Sequence, residues 1–186
     1  MSRYHRRTFL AGLGAATAVV AGCGNGTRSG AGDVIDMRVE RALNLMYSEV
    51  PGSRDLAAKA SGMLVMPLVT KAGFGVGGAY GEGALLIDGV TVDYYSTAQA
   101  TFGLQIGAQQ FAHTLFFMTP DALADFRGSD GWAVGGDVEY AVPERGTSLG
   151  IETTTELAPV IAVVYGQSGL IVGATLKGNK YTRIVR

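Results

Sequence analysis

The run Lys71-Ala-Gly-Phe-Gly-Val-Gly-Gly-Ala-Tyr-Gly-Glu-Gly83 places six glycines in thirteen residues. Gly73-x-Gly75-x-x-Gly78 fits the dinucleotide fingerprint, with the apolar MLVMP (63–67) before it and Asp93 twenty residues after Gly73. That motif needs a helix to begin at its glycines and pack on the sheet. Gly77, Gly78, Gly81 and Gly83 occupy the place of that helix, and each interior glycine costs a helix about 1 kcal/mol relative to alanine. The stretch therefore reads as a strand, or a pair of strands. Glycine there lets the chain bend sharply or lets another backbone come close. A second use is open to it: successive backbone N–H groups from 73 to 83 can hold a phosphate.

Downstream, Leu85–Val92 is a hairpin signal, with Asp88-Gly89 as a type I′ turn. Strands are predicted at Thr101–Gly107, Gln110–Met118, Trp132–Val142, Leu149–Leu157, Val160–Tyr165, Leu170–Leu176 and Tyr181–Val185. Turn signals at 143–146, 166–169 and 177–179 separate the later ones. Thr119-Pro120-Asp121 opens a short helix, ALADF, with threonine as cap and proline in the first helical position. Upstream, Val39, Leu43, Met46 and Val50 fall at helical spacing over 36–49. Pro51-Gly52 ends that helix, Ser53 is placed to cap a second, and Gly62 ends the second. The expected class is α+β, mainly β: short helices ahead of an antiparallel, glycine-rich sheet that curls or closes.

The N-terminus reads as an export signal over residues 1–22. Arg6-Arg7-Thr8-Phe9-Leu10 is a twin-arginine pattern, which favours Tat over Sec export. A short apolar run follows, below the roughly 20 residues of a membrane span. Val20-Ala21-Gly22-Cys23 then reads as a lipobox, at which Cys23 is acylated after cleavage. Cys23 is the only cysteine, so no internal disulfide can form, and acylation accounts for a lone thiol in an exported chain. Residues 23–35 form the acylated cysteine and a Gly/Ser linker, and 36–186 the domain. Gly24 stands where an inner-membrane retention aspartate would be, which points to the periplasmic leaflet of the outer membrane. Cleavage removes three arginines and no acid, leaving 12 basic against 16 acidic residues, a formal charge of −4. Nucleic acid is thereby an unfavoured partner.

Motifs for catalysis fail on context. Gly146-Thr-Ser-Leu-Gly150 matches GxSxG but leads into a threonine-rich strand pattern, and His113 precedes it. His113, in QQFAHTLFFM, has no cysteine or second histidine with which to share a metal, and reads as a core or rim residue with one hydrogen bond. Asp36 and Glu40, with Arg41 beside them, read as solvated surface. Phe111, Phe116, Phe117, Tyr94 and Tyr95 read as core. The expectation is a non-enzyme without metal or cofactor.

Three stretches carry a family likeness. Ala58–Pro67 followed by Val69-Thr-Lys-Ala-Gly-Phe-Gly75, then Phe102-Gly-Leu-Gln-Ile-Gly-Ala108, then Tyr165–Gly178 (YGQSGLIVGATLKG) occur in order. Together they resemble the SYLF domain over residues 36–186. The resemblance implies a lipid-binding module; eukaryotic members are associated with phosphoinositides and phosphatidic acid, and some with actin bundling. For an exported bacterial chain, anionic phospholipid is the idea that transfers. Two departures stand out. Where some relatives place a basic amphipathic helix against the membrane, Asp33–Val50 carries Asp33, Asp36, Glu40 and Glu49 against Arg38 and Arg41. Many relatives also carry acids where this chain has Gln109 and Ala112.

Headgroup-binding candidates are Lys59 and Lys71, which flank MLVMP, with Gly73, Phe74 and Gly75 beside them, and Lys177 and Lys180 near the C-terminus. Lys177, Lys180, Arg183 and Arg186 recur every third residue, which in a strand divides them between two faces. The functional reading is a non-catalytic envelope lipoprotein that binds the phospholipid membrane. The alternative is a structural or adaptor protein whose sheet binds an envelope protein.

Overall fold

The computed structural model describes residues 30–134, 138–141, 158–169, 176 and 178–186. Among these residues three helices, α1 (Ala31–Glu49), α2 (Ser53–Lys59) and α3 (Pro120–Gly128), accompany six strands. The strands are β1 (Gly62–Ile87), β2 (Val90–Phe117), β3 (Trp132–Ala133), β4 (Val138–Ala141), β5 (Val160–Gly169) and β6 (Lys180–Ile184).

Asp88 (φ 50°) and Gly89 (φ 77°) both adopt positive φ, as a type I′ turn requires. Either side of them run two strands of 26 and 28 residues, paired antiparallel from Ile87↔Val90 to Gly62↔Phe117. The segments predicted at 63–67, 85–92, 101–107 and 110–118 are thus one long ribbon. Its register shifts between Met66 and Val69, across Pro67, which has no N–H for the ladder.

The ribbon folds over itself, and glycine makes room for this. A Cβ on Gly81 would lie 2.6 Å from the Leu68 carbonyl oxygen and 2.8 Å from Val69 Cγ2. On Gly83 it would collide with the Val65 carbonyl oxygen and with Met66 Sδ. The second half of β1 therefore rests directly on the first. At the crease, a Cβ on Gly73 would sit 2.7 Å from Gly77 Cα. Close approach and sharp bending, the two uses read for the glycines, occur in the same strand.

β2 is the hub. One edge pairs with β1 along its length; the other is shared, with β6 on residues 94–98 and β5 on 109–117. The strand order is β3-β6-β2-β5-β4. Mostly β, strongly curled and glycine-rich, the sheet is as expected, except that β4 pairs with β5 in parallel. Residues 166–169, predicted as a turn, continue β5; Gly166 takes φ 60° near the register shift between Gln110 and Ala112, so the turn chemistry serves a bulge. The strands predicted at 149–157 and most of 170–176, and the GxSxG stretch, lie outside the described residues.

Two apolar layers result. Inside the curl, Leu64, Met66, Val69, Phe111, Leu115 and Phe117 meet Tyr95, Tyr181 and the α3 residues Leu123 and Phe126. Outside, Ile35, Val39, Ala42 and Met46 of α1 and Leu56 of α2 cover Met63, Val65, Ala84 and Phe116. α1 begins earlier than predicted. Asp36, read as solvated, instead anchors α1 to the sheet: its carboxylate accepts from Thr91 Oγ1 (2.9 Å) and the Tyr94 hydroxyl (2.8 Å). Ser53 does not cap α2. Its buried hydroxyl donates back to the Val50 carbonyl at 2.7 Å, closing the end of α1, while Gly52 takes the cap position in left-handed geometry. Thr119 caps α3 as read, accepting from Ala122 N at 3.2 Å.

Gly81→Val is expected to cost at least about 2 kcal/mol, since overpacking against backbone cannot be relieved by a rotamer change. Gly128→Ala, where an added Cβ meets nothing within 4 Å, should be neutral or mildly stabilising. Urea denaturation midpoints of the two variants check this.

Candidate functional site

An inner face lined by apolar strands is an expensive place for polar groups. Yet of the seven buried polar or charged residues described, only Ser53 and Thr114 lie elsewhere; Lys71, Thr97, Gln109, His113 and Asn179 belong to the inner layer. Alternation and pairing put them there. Lys71 follows Val69 by two along β1 and faces Gln109, which precedes Phe111 and His113 on the same side of β2. Thr97 follows Tyr95 and is paired with both Gly81 and Tyr181. Asn179 lies between inner-layer neighbours: its N–H donates to the Leu176 carbonyl, and its carbonyl accepts from Val134 N–H.

Their bonding is incomplete. His113 Nε2 meets the Tyr181 hydroxyl at 2.7 Å, but its Nδ1 has no partner. Gln109 donates from Nε2 to Gln167 Oε1 at 3.4 Å, leaving its own Oε1 without a donor. Thr97 Oγ1 and Asn179 Oδ1 are likewise buried without hydrogen bonds. Lys71 is 3% exposed, and no ion pair or hydrogen bond joins it to another described residue. Desolvation pushes His113 down to about 3, so its imidazole is neutral at physiological pH. Aromatic rings frame the set: Tyr181 lies 5.8 Å from His113 and 5.9 Å from Trp132, centroid to centroid.

The other candidates are dispersed. Lys59 is exposed at the end of α2, which packs on the outer face of the sheet, so it does not share a side with Lys71. Gly73 pairs with Gly107 at the crease. Phe74 and Gly75 lie in β1, Phe74 opposite Ile106; their side chains are outside the described residues, as are Lys177 and Cys23 as a whole. Lys180 is exposed at the start of β6, its stem beside Gly131. Arg183 pairs with Asp93 at 3.1 Å and Arg186 pairs with Glu82, so the C-terminal basic run forms no single patch. The phosphate-nest reading of 73–83 fails: that segment is strand, and among the described residues none of its glycines takes positive φ, whereas a nest needs left-handed residues. Thr97, Gln109, Asn179 and Tyr181 were not singled out from sequence as site residues. Only Gln109 had a local signal, sharing the strand alternation of Phe111 and His113.

Among the described residues no cluster of three or more His, Cys, Asp or Glu is arranged to hold a metal, and no helix is long and apolar enough to cross a membrane. Residues 98–184 match the family model Ysc84, described as Las17-binding protein actin regulator. Over these residues the chain is similar to the SYLF family. No curated protein matches it. The match spans β2 from Ala98, α3 and the strands through Ile184, hence Gln109, His113, Asn179 and Tyr181. SYLF domains are binding modules associated with lipid and actin-related partners, not a known enzyme family.

His113 gives the inner layer a pH signature. Its folded pKa lies below the usual 6.5, so below pH 6.5 the unfolded chain takes up a proton that the folded chain refuses. Stability is therefore full above that pH and falls as pH drops, by about 2 kcal/mol between pH 7 and 5. His113→Gln should flatten the stability–pH profile in this window, read by urea denaturation at each pH.

Proposed function

We propose that this protein is a non-catalytic lipid-binding lipoprotein of the bacterial envelope, preferring phospholipids with anionic headgroups. Lys71 carries the reading. Its side chain is nearly all buried and has no carboxylate partner among the described residues, and an anionic ligand is what would supply one. The SYLF match supports lipid as the ligand class. Acylated Cys23 would hold the domain at the membrane surface, the outer membrane's periplasmic leaflet by the sequence signals, so the ligand need not be found by diffusion. α1 is an unsuitable contact for anionic headgroups: Glu40 is exposed on it and Asp36 is committed to the sheet. The headgroup contact is therefore assigned to the sheet.

A protein partner is the second reading. The matched family model is described as Las17-binding, and among the described residues β1 pairs only with β2, leaving one strand edge open to augmentation. A stoichiometric envelope protein retained by the chain without lipid would favour it.

In flotation, residues 24–186 should rise with vesicles containing anionic phospholipid and remain behind with phosphatidylcholine alone. High salt should weaken retention, as for charge-driven contact. No retention on any phospholipid overturns the lipid reading.

A further inference from the structure

The inner layer combines one cation with acceptors that lack donors. Lys71 offers three N–H donors and no acceptor. Across the ribbon from it, Gln109 gives one amide N–H to Gln167, while its Oε1, an acceptor, has no donor. Asn179 Oδ1 is a further acceptor without a donor, and Thr97 Oγ1 can act in either sense. Inorganic phosphate at neutral pH presents mainly acceptors, so it would satisfy Lys71 and leave the amide oxygens unmet. A phosphate ester carrying free hydroxyls satisfies both kinds of group. A phosphoethanolamine presents an ammonium, which Lys71 repels.

We propose that the interior of the folded ribbon, at Lys71 and Gln109, is a binding site for a hydroxyl-bearing phosphate ester of the phosphoglycerol type. The proposal deepens the lipid-binding reading by placing the headgroup inside the curl rather than on the protein surface. The same chemistry is available from a phospholipid headgroup or from a soluble polyol phosphate, and the two sources are separated below.

Lys71 also distinguishes a ligand role from a structural one. Replacing a lysine whose stem is buried and whose ammonium has no carboxylate partner by an apolar side chain of similar length keeps the packing and removes the charge. Lys71→Met should therefore melt at the same temperature as the parent or higher while losing the ligand. Gln109→Glu would give Lys71 a counter-ion across the ribbon, raising stability and shutting out the anion. A lysine held for folding would behave oppositely in Lys71→Met.

The test uses the full chain in nonionic detergent. The sole tryptophan, Trp132, packs against Tyr181 and serves as fluorescence reporter, with calorimetry as an independent readout. The titrants are glycerol 1-phosphate, inorganic phosphate, phosphoethanolamine and mixed micelles of phosphatidylglycerol. Glycerol 1-phosphate is expected to bind saturably, about tenfold or more tighter than inorganic phosphate or phosphoethanolamine. Lys71→Met should weaken it at least about tenfold, the scale of a lost charge-assisted hydrogen bond. Lys71→Arg should retain most of the affinity, and Gln109→Leu should erase the preference over inorganic phosphate. Binding of glycerol 1-phosphate but not of phosphatidylglycerol micelles upholds the site and removes the lipid source. Binding of the micelles alone, lost in Lys71→Met, upholds the site with lipid as the source. Micelle binding unchanged by Lys71→Met and Gln109→Glu overturns the interior site and leaves the lipid reading standing. If neither ester binds, the site is overturned, as it is by equal binding of inorganic phosphate.

Discussion

Everything in this fold follows from one close approach, the backbone of β1 resting on itself. At Gly81 and Gly83 the facing atoms are main-chain oxygens and the side chains of Val69 and Met66. The carbonyl oxygens cannot swing aside as a flexible side-chain tip can. With side chains at those positions the ribbon would stay open, as a long two-stranded hairpin with too little apolar burial to be stable alone. With glycine it closes. β2, tied to β1 throughout, is carried round the curve and presents its other edge in two pieces, to β6 and to β5. The curl creates an inside, capped by α3 and its aromatic contacts, and an outside that α1 and α2 cover.

The inside is packed yet not apolar throughout. Phe111, Leu115, Phe117 and Phe126 form a conventional aromatic and aliphatic layer, but Lys71, Thr97, Gln109, His113 and Asn179 share it. An unpartnered buried polar group costs about 1–3 kcal/mol, and a domain has only about 5–15 kcal/mol in all. Several such groups on one inner face are therefore a substantial charge on stability. Retaining them is understandable where a ligand supplies the missing partners, because free energy of binding then returns as folded-state stability. The family match covers three of the residues concerned, Gln109, His113 and Asn179; Lys71 and Thr97 lie upstream of it.

Much of the architecture was legible locally. Asp88-Gly89 reads as a type I′ turn because its two residues decide its backbone. Thr119-Pro120-Asp121 reads as a helix start for the same reason. The glycine run was legible as strand because its density forbids a helix. What escaped reading depends on contacts between distant residues. Gly107, with φ 140°, looks like the end of a strand but sits within β2 at the crease. Ser53 has the residue type of a helix cap but serves the helix before it. Asp36 resembles a solvated acid until Thr91 and Tyr94 arrive from the far side of the hairpin turn. Lys71 was recognisable as chemically interesting, but not as buried, because its face is decided by how the ribbon folds. Thr97 and Asn179 carry no local signal; what stands around them is decided by the pairing of β6 with β2, which sets Thr97 opposite Tyr181.

The central claim is that the curled ribbon encloses a ligand and that Lys71 holds it. The most direct measurement is native mass spectrometry of the protein as isolated from membranes, in mild detergent, with parent and Lys71→Met variant compared and the bound molecules extracted and identified. The account predicts near-stoichiometric anionic phospholipid with a hydroxylated headgroup on the parent, and its loss from an equally well-folded variant. A parent that carries nothing, or a variant that retains the same lipid in the same amount, would contradict it.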